Sequence, residues 1–247
     1  MSPNSNNSVV IIQARIGSER LPGKSLLDIC GKPLIERVIE SAREIKSVKV
    51  LVLATTWLAE DDPLAEAGKT LGCEVFRGDP EDVLARYHNA AQNYKADTIV
   101  RLCGDSPIID TEYMDRMVIE HLEKGADLTC NISPLPLGPT GSVVSRKALE
   151  IMFQKADTGY QREHVTPYIS EHRKEFNILE MTVPVQFHRN YRMTIDETAD
   201  LEMFKKLYHA FETEGFEPNY SNAIHLLDNN SDMSGINRSV PQRDWRR

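Results

Sequence analysis

Apolar residues along the chain fall into two alternating patterns. Val9 to Ala14 (VVIIQA) and Val48 to Ala54 (VKVLVLA) are short, nearly continuous apolar runs, the pattern of strands covered on both faces. Between them Leu34, Ile35, Val38, Ile39, Ala42 and Ile45 recur at helical spacing, so Pro33 to Ile45 reads as an amphipathic helix with Pro33 in its first turn. The alternation continues with a helix over Asp61 to Leu71 that stops at Gly72, then a short strand over Glu74 to Phe76. A helix over Pro80 to Lys95, capped by Asp79, leads to a strand over Thr98 to Leu102. Next come a helix over Thr111 to Lys124 ending at Gly125, and a short strand at Asp127 to Cys130. Ser133 to Gly141 is a Pro/Gly-rich loop. Beyond it the pattern predicts a strand and helix over Val143 to Lys155, a helix around Glu163 to His172, and strands at Ile178 to Val183 and Tyr191 to Ile195. Helices then start near Thr198 and Tyr220. Strands alternating with long helices predict an α/β fold with three αβα layers and a mostly parallel, twisted sheet.

This organisation gives one domain over residues 9–227, with an irregular insertion at about 133–187 serving acceptor binding and dimer contact. Residues 1–8 are polar and expected to be disordered, and residues 228–247, rich in Asn, Ser, Asp and Arg, are expected to form a flexible tail. Charge narrows the function classes. The 29 Lys and Arg against 37 Asp and Glu in 247 residues leave a net charge of -8, which argues against nucleic acid as a partner. No apolar run is long enough for a membrane span. Cys30, Cys73, Cys103 and Cys130 are scattered without a CxxC pair, so neither a zinc ribbon nor a disulfide framework is expected. These features predict a soluble, cytoplasmic protein.

In open α/β sheets the ligand crevice lies beyond the carboxyl ends of the strands, which directs attention to Arg15 to Lys24, Thr55 to Trp57, Cys103 to Pro107 and Asp196. The first of these, RIGSERLPGK, places three cations and two glycines directly after a buried strand. Backbone N–H groups of such a turn can surround a phosphate while Arg15, Arg20 and Lys24 supply charge; a charged surface loop is the alternative. Gly23-Lys24-Ser25 is not a P-loop, because the spacing would require glycine where Ser18 stands. Asp105 at one strand end and Asp196 at another could hold Mg²⁺ beside a polyphosphate, or could simply cap a turn and a helix. Two strand-end carboxylates facing one phosphate loop suit metal-dependent phosphoryl or nucleotidyl transfer.

The stretch IIQARIGSERLPGKSLLDICGKPLIERVIE, with FRGDPEDVLARYHNAA, VRLCGDSPIID, REHVTPYI and YRMTIDETADLEM after it in order, resembles the spore-coat-polysaccharide type of cytidylyltransferase, related to CMP-KDO and CMP-sialic acid synthetases. The resemblance covers about Val9 to Phe211 and implies a GT-A-like nucleotidyltransferase fold. It implies attack of an acceptor oxygen on the α-phosphorus of CTP, with Mg²⁺ as cofactor and a homodimer as the assembly. Carried over by residue, Arg15, Ser18, Arg20 and Lys24 hold the triphosphate, and Ala14, Gly17, Cys103 and Gly104 join them in nucleotide contact. Ala54 and Thr55 line the base pocket. Asp105 and Asp196 are the metal ligands, and Arg15, Lys24 and Asp105 form the catalytic set.

Family members usually carry a segment like PDGLDVEVF where this chain has PLGPTGSVV, so Thr140 and Ser142 stand in place of acidic residues. Losing two carboxylates removes repulsion against an anion, which points to an anionic acceptor other than the family's usual sugar, a smaller or more anionic one such as a phosphate or phosphonate, within the class that also includes sugar acids. Arg162, His164 and Arg192, with Thr140 and Ser142, are the candidate acceptor contacts; a helix histidine bonded within the fold is the alternative for His164. The remaining histidines, His88 and His121 among them, are expected on solvated faces. Two other functions stay open at this level: a GT-A-type glycosyltransferase using a finished nucleotide sugar, and a non-catalytic nucleotide-binding paralogue.

Overall fold

The computed structural model describes residues 6–242. In chain order β1 (Ser8–Gln13) is followed by a small antiparallel hairpin, β2 (Asp28–Ile29) and β3 (Lys32–Pro33), and by α1 (Leu34–Arg43). Then come β4 (Val50–Thr56), α2 (Asp62–Thr70), β5 (Glu74–Gly78), α3 (Val83–Asn93), β6 (Thr98–Cys103), α4 (Thr111–Lys124) and β7 (Leu128–Asn131). The second half holds β8 (Ser142–Ser145), α5 (Arg146–Lys155), α6 (Gly159–His164), α7 (Pro167–Glu171), β9 (Ile178–Met181), α8 (Thr198–Glu214), α9 (Tyr220–Asn229) and α10 (Ser231–Gly235).

The main sheet has seven strands in the order β5-β4-β1-β6-β8-β7-β9. β5, β4, β1 and β6 run parallel, β8 runs antiparallel to both of its neighbours, and β9 returns parallel to β7. Apolar side chains cover both faces of β1. Val10 and Ile12 pack with residues of α1, α4 and α8, whereas Val9 and Ile11 pack with residues of α3, α5 and α7. The result is the expected αβα arrangement. Register then sets the functional edge: Gln13 stands opposite Ala54 on one side and Cys103 on the other. β1 and β6 therefore end level while β4 runs on two residues to Thr56, and the loops of all three open onto one rim.

Several elements differ from expectation. α3 begins at Val83 with Asp82 as its cap, accepting from the Ala85 N–H at 2.8 Å, while Asp79 instead accepts from Glu81 and Asp82 in the preceding turn. The expected helix around Glu163 to His172 is two short helices, separated at Val165, whose φ of +71° interrupts the helical path. Tyr191 to Ile195 is extended but joins no strand ladder; its backbone bonds go to Leu137 and to Asp105. Gly138 permits this crossing, because a Cβ there would lie 2.3 Å from the Met193 carbonyl oxygen.

The chain ends also depart from expectation. Ser8 already belongs to β1, and the Asn7 side chain donates to the carbonyls of Tyr94 and Lys95; residues 1–5 lie outside the described residues. After Asp228 the chain forms α10, buries Met233 and Asn237, and packs onto α8 and α9. Residues 243–247 of the expected flexible tail lie outside the described residues. All four cysteines are free thiols.

Two histidines expected on solvated faces are buried. His88 stacks on Phe153 at 4.0 Å between ring centres, and its Nε2 lies 2.6 Å from Glu150. His121 faces the core on α4 with Nδ1 2.9 Å from the Thr129 hydroxyl. Burial depresses the His121 pKa from 6.5 to about 4, the nearby Asp127 offsetting only part of the effect. The unfolded chain therefore takes up this proton first, and the contribution of neutral His121 to stability, complete above pH 6.5, is lost as pH falls toward 4. Urea unfolding of the wild type and His121→Gln at pH 7.5 and 4.5 should show the stability gap between the two proteins change by roughly 1–3 kcal/mol. An unchanged gap would show that His121 titrates normally.

Candidate active site

The loop after β1 is folded by its own backbone and one buried acid. Ser18 N–H and Gly23 N–H both donate to the Ile16 carbonyl, at 2.7 and 3.2 Å, doubling the loop back on itself. Gly23 accommodates the reversal with φ of +71°. Asp61, fully buried, accepts from the Ile16 N–H at 2.7 Å and from the Thr56 hydroxyl, which ties the loop to the end of β4. On the other side Gly104 lies against β1: a Cβ there would come within 2.6 Å of the Ala14 Cβ, so only glycine allows the two strand ends to approach.

Charge gathers where these ends meet. The Lys24 ammonium lies 3.2 Å from Asp105, 2.8 Å from Asp196 and 2.9 Å from the Ile195 carbonyl oxygen, donating to all three. Burial alone would weaken the charge on Lys24, but the two carboxylates outweigh it and raise the pKa. Asp196 is a mirror case: burial would raise its pKa, yet Lys24, Arg20 and Arg192 bring it below the ordinary carboxylate value. Arg20 reaches Asp196 at 3.1 Å and Glu197 at 3.3 Å. Arg192 reaches Asp196 at 2.7 Å with one nitrogen and Asp200 at 2.9 Å with another.

Asp200 fixes this corner. Its fully buried carboxylate accepts from the backbone N–H groups of Asp196 and Glu197, each at 3.0 Å, and from the Arg192 and Asn237 side chains, each at 2.9 Å. With Glu197 it forms a capping box on α8. The orientation of Asp196 is thus imposed by a helix terminus and by a residue of the supposed tail.

Two cavities open from this point. One of about 270 Å³ is lined by the loop, including Ala14, Arg15, Gly17, Ser18, Arg20 and Lys24, with Gly104 and Asp105 closing it. The second, about 650 Å³, is lined by Arg101, Cys103, Asp105, Thr140, His164 and Asp196 together with parts of the 137–141 loop and α7. Arg20, Asp105 and Glu163 belong to both.

The structure separates the expected residues into groups. The loop residues, Gly104 and Asp105 come together in the first cavity, and Asp196, Thr140 and His164 face the second. Cys103 lines the second cavity rather than the first. Ala54 and Thr55 line neither, being fully buried in β4, where the Ala54 carbonyl accepts from the Ala14 N–H. Arg162 is turned away from both: it bonds Asp82 at 2.9 Å and the Phe153 and Ala156 carbonyls, locking α6 to α3 and α5. Arg192 is largely buried and acts on Asp196 rather than lining a cavity. Ser142 is buried in β8 against β6, so of the two replaced acidic positions only Thr140 faces solvent-accessible space.

Arg101, a charge inside the apolar run TIVRL, was not among the expected site residues; its misfit with a buried strand is the signal that could have found it. Asp61 and Asp200 carried no comparable signal, since each acts through backbone groups brought close only by folding. As for Mg²⁺, no group of three or more His, Cys, Asp or Glu among the described residues could hold a metal by itself. Asp105 and Asp196 nevertheless converge on one cation, the Lys24 ammonium, and two carboxylates plus phosphate oxygens and water are a donor set that suits Mg²⁺.

Comparison with known proteins agrees with this geometry. The chain is 35% identical over 237 residues to an uncharacterized protein of Methanocaldococcus jannaschii, covering 96% of each. It is 38% identical over 241 residues to the spore coat polysaccharide biosynthesis protein SpsF of Bacillus subtilis, covering 93% of this chain and 97% of that one. A solved cytidylyltransferase from Leptospira borgpetersenii superposes with a TM-score of 0.87 at 30% identity, over 96% of this chain and all of the other. The model of the cytidylyltransferase family matches residues 9–230, so this chain belongs to that family and is a CTP-dependent nucleotidyltransferase.

Proposed function

We propose that the chain joins the CMP part of CTP to an oxygen of a small anionic acceptor and releases pyrophosphate, with Mg²⁺ as cofactor. The observation that carries this reading is the placement of Lys24, Asp105 and Asp196 where a cation-lined cavity meets a larger second one. The triphosphate occupies the loop cavity, held by Arg15, Arg20, Lys24, Ser18 and the turn's N–H groups, with its α-phosphorus directed at the junction. The acceptor enters from the second cavity, its oxygen attacks the α-phosphorus, and the bond to pyrophosphate breaks. Lys24 donates to phosphate oxygens as charge moves onto the leaving group. Asp105 and Asp196 would hold Mg²⁺, which when bound supplies further positive charge to those oxygens.

A general base is not required when the attacking group is already ionised. His164 has its pKa lowered by burial, with Arg101 adding to the effect against Glu163, so it presents a neutral imidazole to the acceptor at neutral pH. Thr140 adds a hydroxyl where family members carry an acid. The name of the Bacillus relative supports use of the product in polysaccharide assembly. Exposed Ile132, Val185 and Phe187 lie in or beside the irregular segments that flank β9, the last strand of the sheet, and support a homodimer.

Three measurements test the reading. Pyrophosphate release is to be assayed with CTP, UTP, ATP and GTP against sugar acids, sugar phosphates and phosphonates; a CTP-specific signal is expected, abolished by EDTA and restored by Mg²⁺. Release of a nucleoside diphosphate from a nucleotide sugar would favour glycosyl transfer instead. Asp105→Asn should lower turnover by about 10²–10³-fold with the melting temperature preserved, and intact turnover would remove Asp105 from the mechanism. In sedimentation equilibrium at micromolar concentration the wild type should be a dimer and the double variant Val185→Glu, Phe187→Glu a monomer; a monomeric wild type would overturn the assembly.

A further inference from the structure

Among the described residues, Arg101 is the guanidinium lining the larger cavity that forms no ion pair; Asp105, across the same cavity, acts on its charge only through space. Of the cationic side chains there, Arg20 is paired with Asp196 and Glu197, and His164 is an imidazole. The Arg101 side chain makes no hydrogen bond or ion pair among the described residues. Its Nε is buried without an acceptor, and its guanidinium lies 5.7 Å from the centre of the Tyr87 ring. Tyr87 presents its ring to the guanidinium, while its hydroxyl donates to the Leu102 carbonyl at 2.8 Å.

The strand explains how the charge comes to be there. In β6 Val100 and Leu102 turn into the core shared with α1 and α4, so Arg101 turns to the opposite face, as Ile99 does in packing with α3 and α5. Ile99 is covered, whereas Arg101 stands nearer the strand end, where the sheet opens into the cavity. Gly141 holds β8 tightly to the strand at this level: a Cβ there would lie 2.1 Å from the Arg101 carbonyl oxygen. The backbone of Arg101 is therefore clamped while its head group faces open space. A buried Nε–H without an acceptor is unfavourable for the folded chain, and such a group is retained where a ligand completes it.

We propose that Arg101 is the anchor for a second anionic group of the acceptor, a carboxylate or phosphonate carried at the end remote from the oxygen that attacks CTP. This rests on the nucleotidyl-transfer reading for the identity of the cavity as the acceptor's. Arg101 lies four residues before Asp105, so at roughly 3.3 Å per residue at most about 13 Å separates their α-carbons. A compact acceptor spans that interval, with its nucleophilic end beside Lys24 and Asp105 and its anion on the guanidinium fork. Thr140 and Thr166 stand along the same wall and offer neutral hydroxyls to the portion between. The two-ended demand excludes simple neutral alcohols and favours hydroxylated phosphonates and sugar acids whose carboxylate is remote from the attacking hydroxyl. The exposed Glu163 at the shared wall repels an anion that fails to reach past it to Arg101.

The test uses full-length ¹⁵N-labelled protein with saturating CTP. The Arg101 Nε–H signal, assigned by its loss in Arg101→Lys, is followed on titration with methylphosphonate, with D-glucuronate, whose carboxylate is remote from its anomeric hydroxyl, and with neutral methyl mannoside. At least one of the two anions should shift the signal saturably and the neutral sugar should not; which one does distinguishes phosphonate from carboxylate recognition. By calorimetry Arg101→Met should weaken binding of that anion by about tenfold to a hundredfold. Arg101→Lys should restore only part of it, and CTP affinity should stay within about twofold. The Arg101→Met melting temperature should hold or rise, because a buried N–H without an acceptor has been removed; a residue kept for structure would show a fall. The assignment is overturned if neither anion moves the signal while CTP binds, or if the Met variant binds the anion as tightly as the wild type. Failure of CTP to bind the wild type would instead remove the nucleotidyl-transfer reading, and the same titration without nucleotide would still decide whether Arg101 holds an anion.

Discussion

One ammonium joins three distant parts of the chain. Lys24 comes from the loop after β1, Asp105 from the turn after β6, and Asp196 from the extended segment that leads into α8; the hydrogen bonds of Lys24 hold them within a few ångströms. Two carboxylates this close would repel each other and shift their titration without a cation between them. The site is therefore charge-balanced before any ligand arrives, and a phosphate or metal that enters has to replace contacts already made. That requirement favours ligands that bring both signs of charge, as a metal–triphosphate does.

The fold works chiefly to bring those three parts into register. β1 and β6 end level, β4 runs on two residues to Thr56, and glycines at 104 and 138 let backbones meet where any side chain would intrude. Asp61 and Asp200 then stiffen the loops without touching a cavity. Each is a buried acid whose desolvation is offset by charge-assisted bonds, one backbone N–H and one hydroxyl for Asp61, and two backbone N–H groups with the Arg192 and Asn237 side chains for Asp200.

Much of this could be read from the chain alone. The apolar runs of β1 and β4 and the helical stripe of α1 are long and regular, and Gly125 ends α4 at the expected place. Loop cations and strand-end acids were legible because their chemistry is unusual beside buried strands. What escaped depended on partners distant in sequence. Tyr191 to Ile195 has the alternation of a strand, but its hydrogen bonds are taken by single residues of two loops. Arg162 and Arg192 had the right charge, yet Asp82 and Asp200 claim their head groups. The stretch after Asp228 is polar in composition, while two of its residues, Met233 and Asn237, decide where it lies. His121 illustrates a readable case left unread: with Met114, Met117 and Val118 it repeats at helical spacing and so shares their buried face.

The wall common to the two cavities has a thermodynamic meaning. Arg20, Asp105 and Glu163 border both spaces, so a molecule in either one changes the field felt in the other. Linkage makes that influence mutual: by whatever factor the first occupant alters the affinity for the second, the second alters the affinity for the first. Arg20 is also paired to Glu197, a member of the α8 capping box, so any ligand that draws it inward loosens a contact at that helix end. The partition between the two sites is in this sense a coupling element, and the stability of a helix terminus is one of the quantities it transmits.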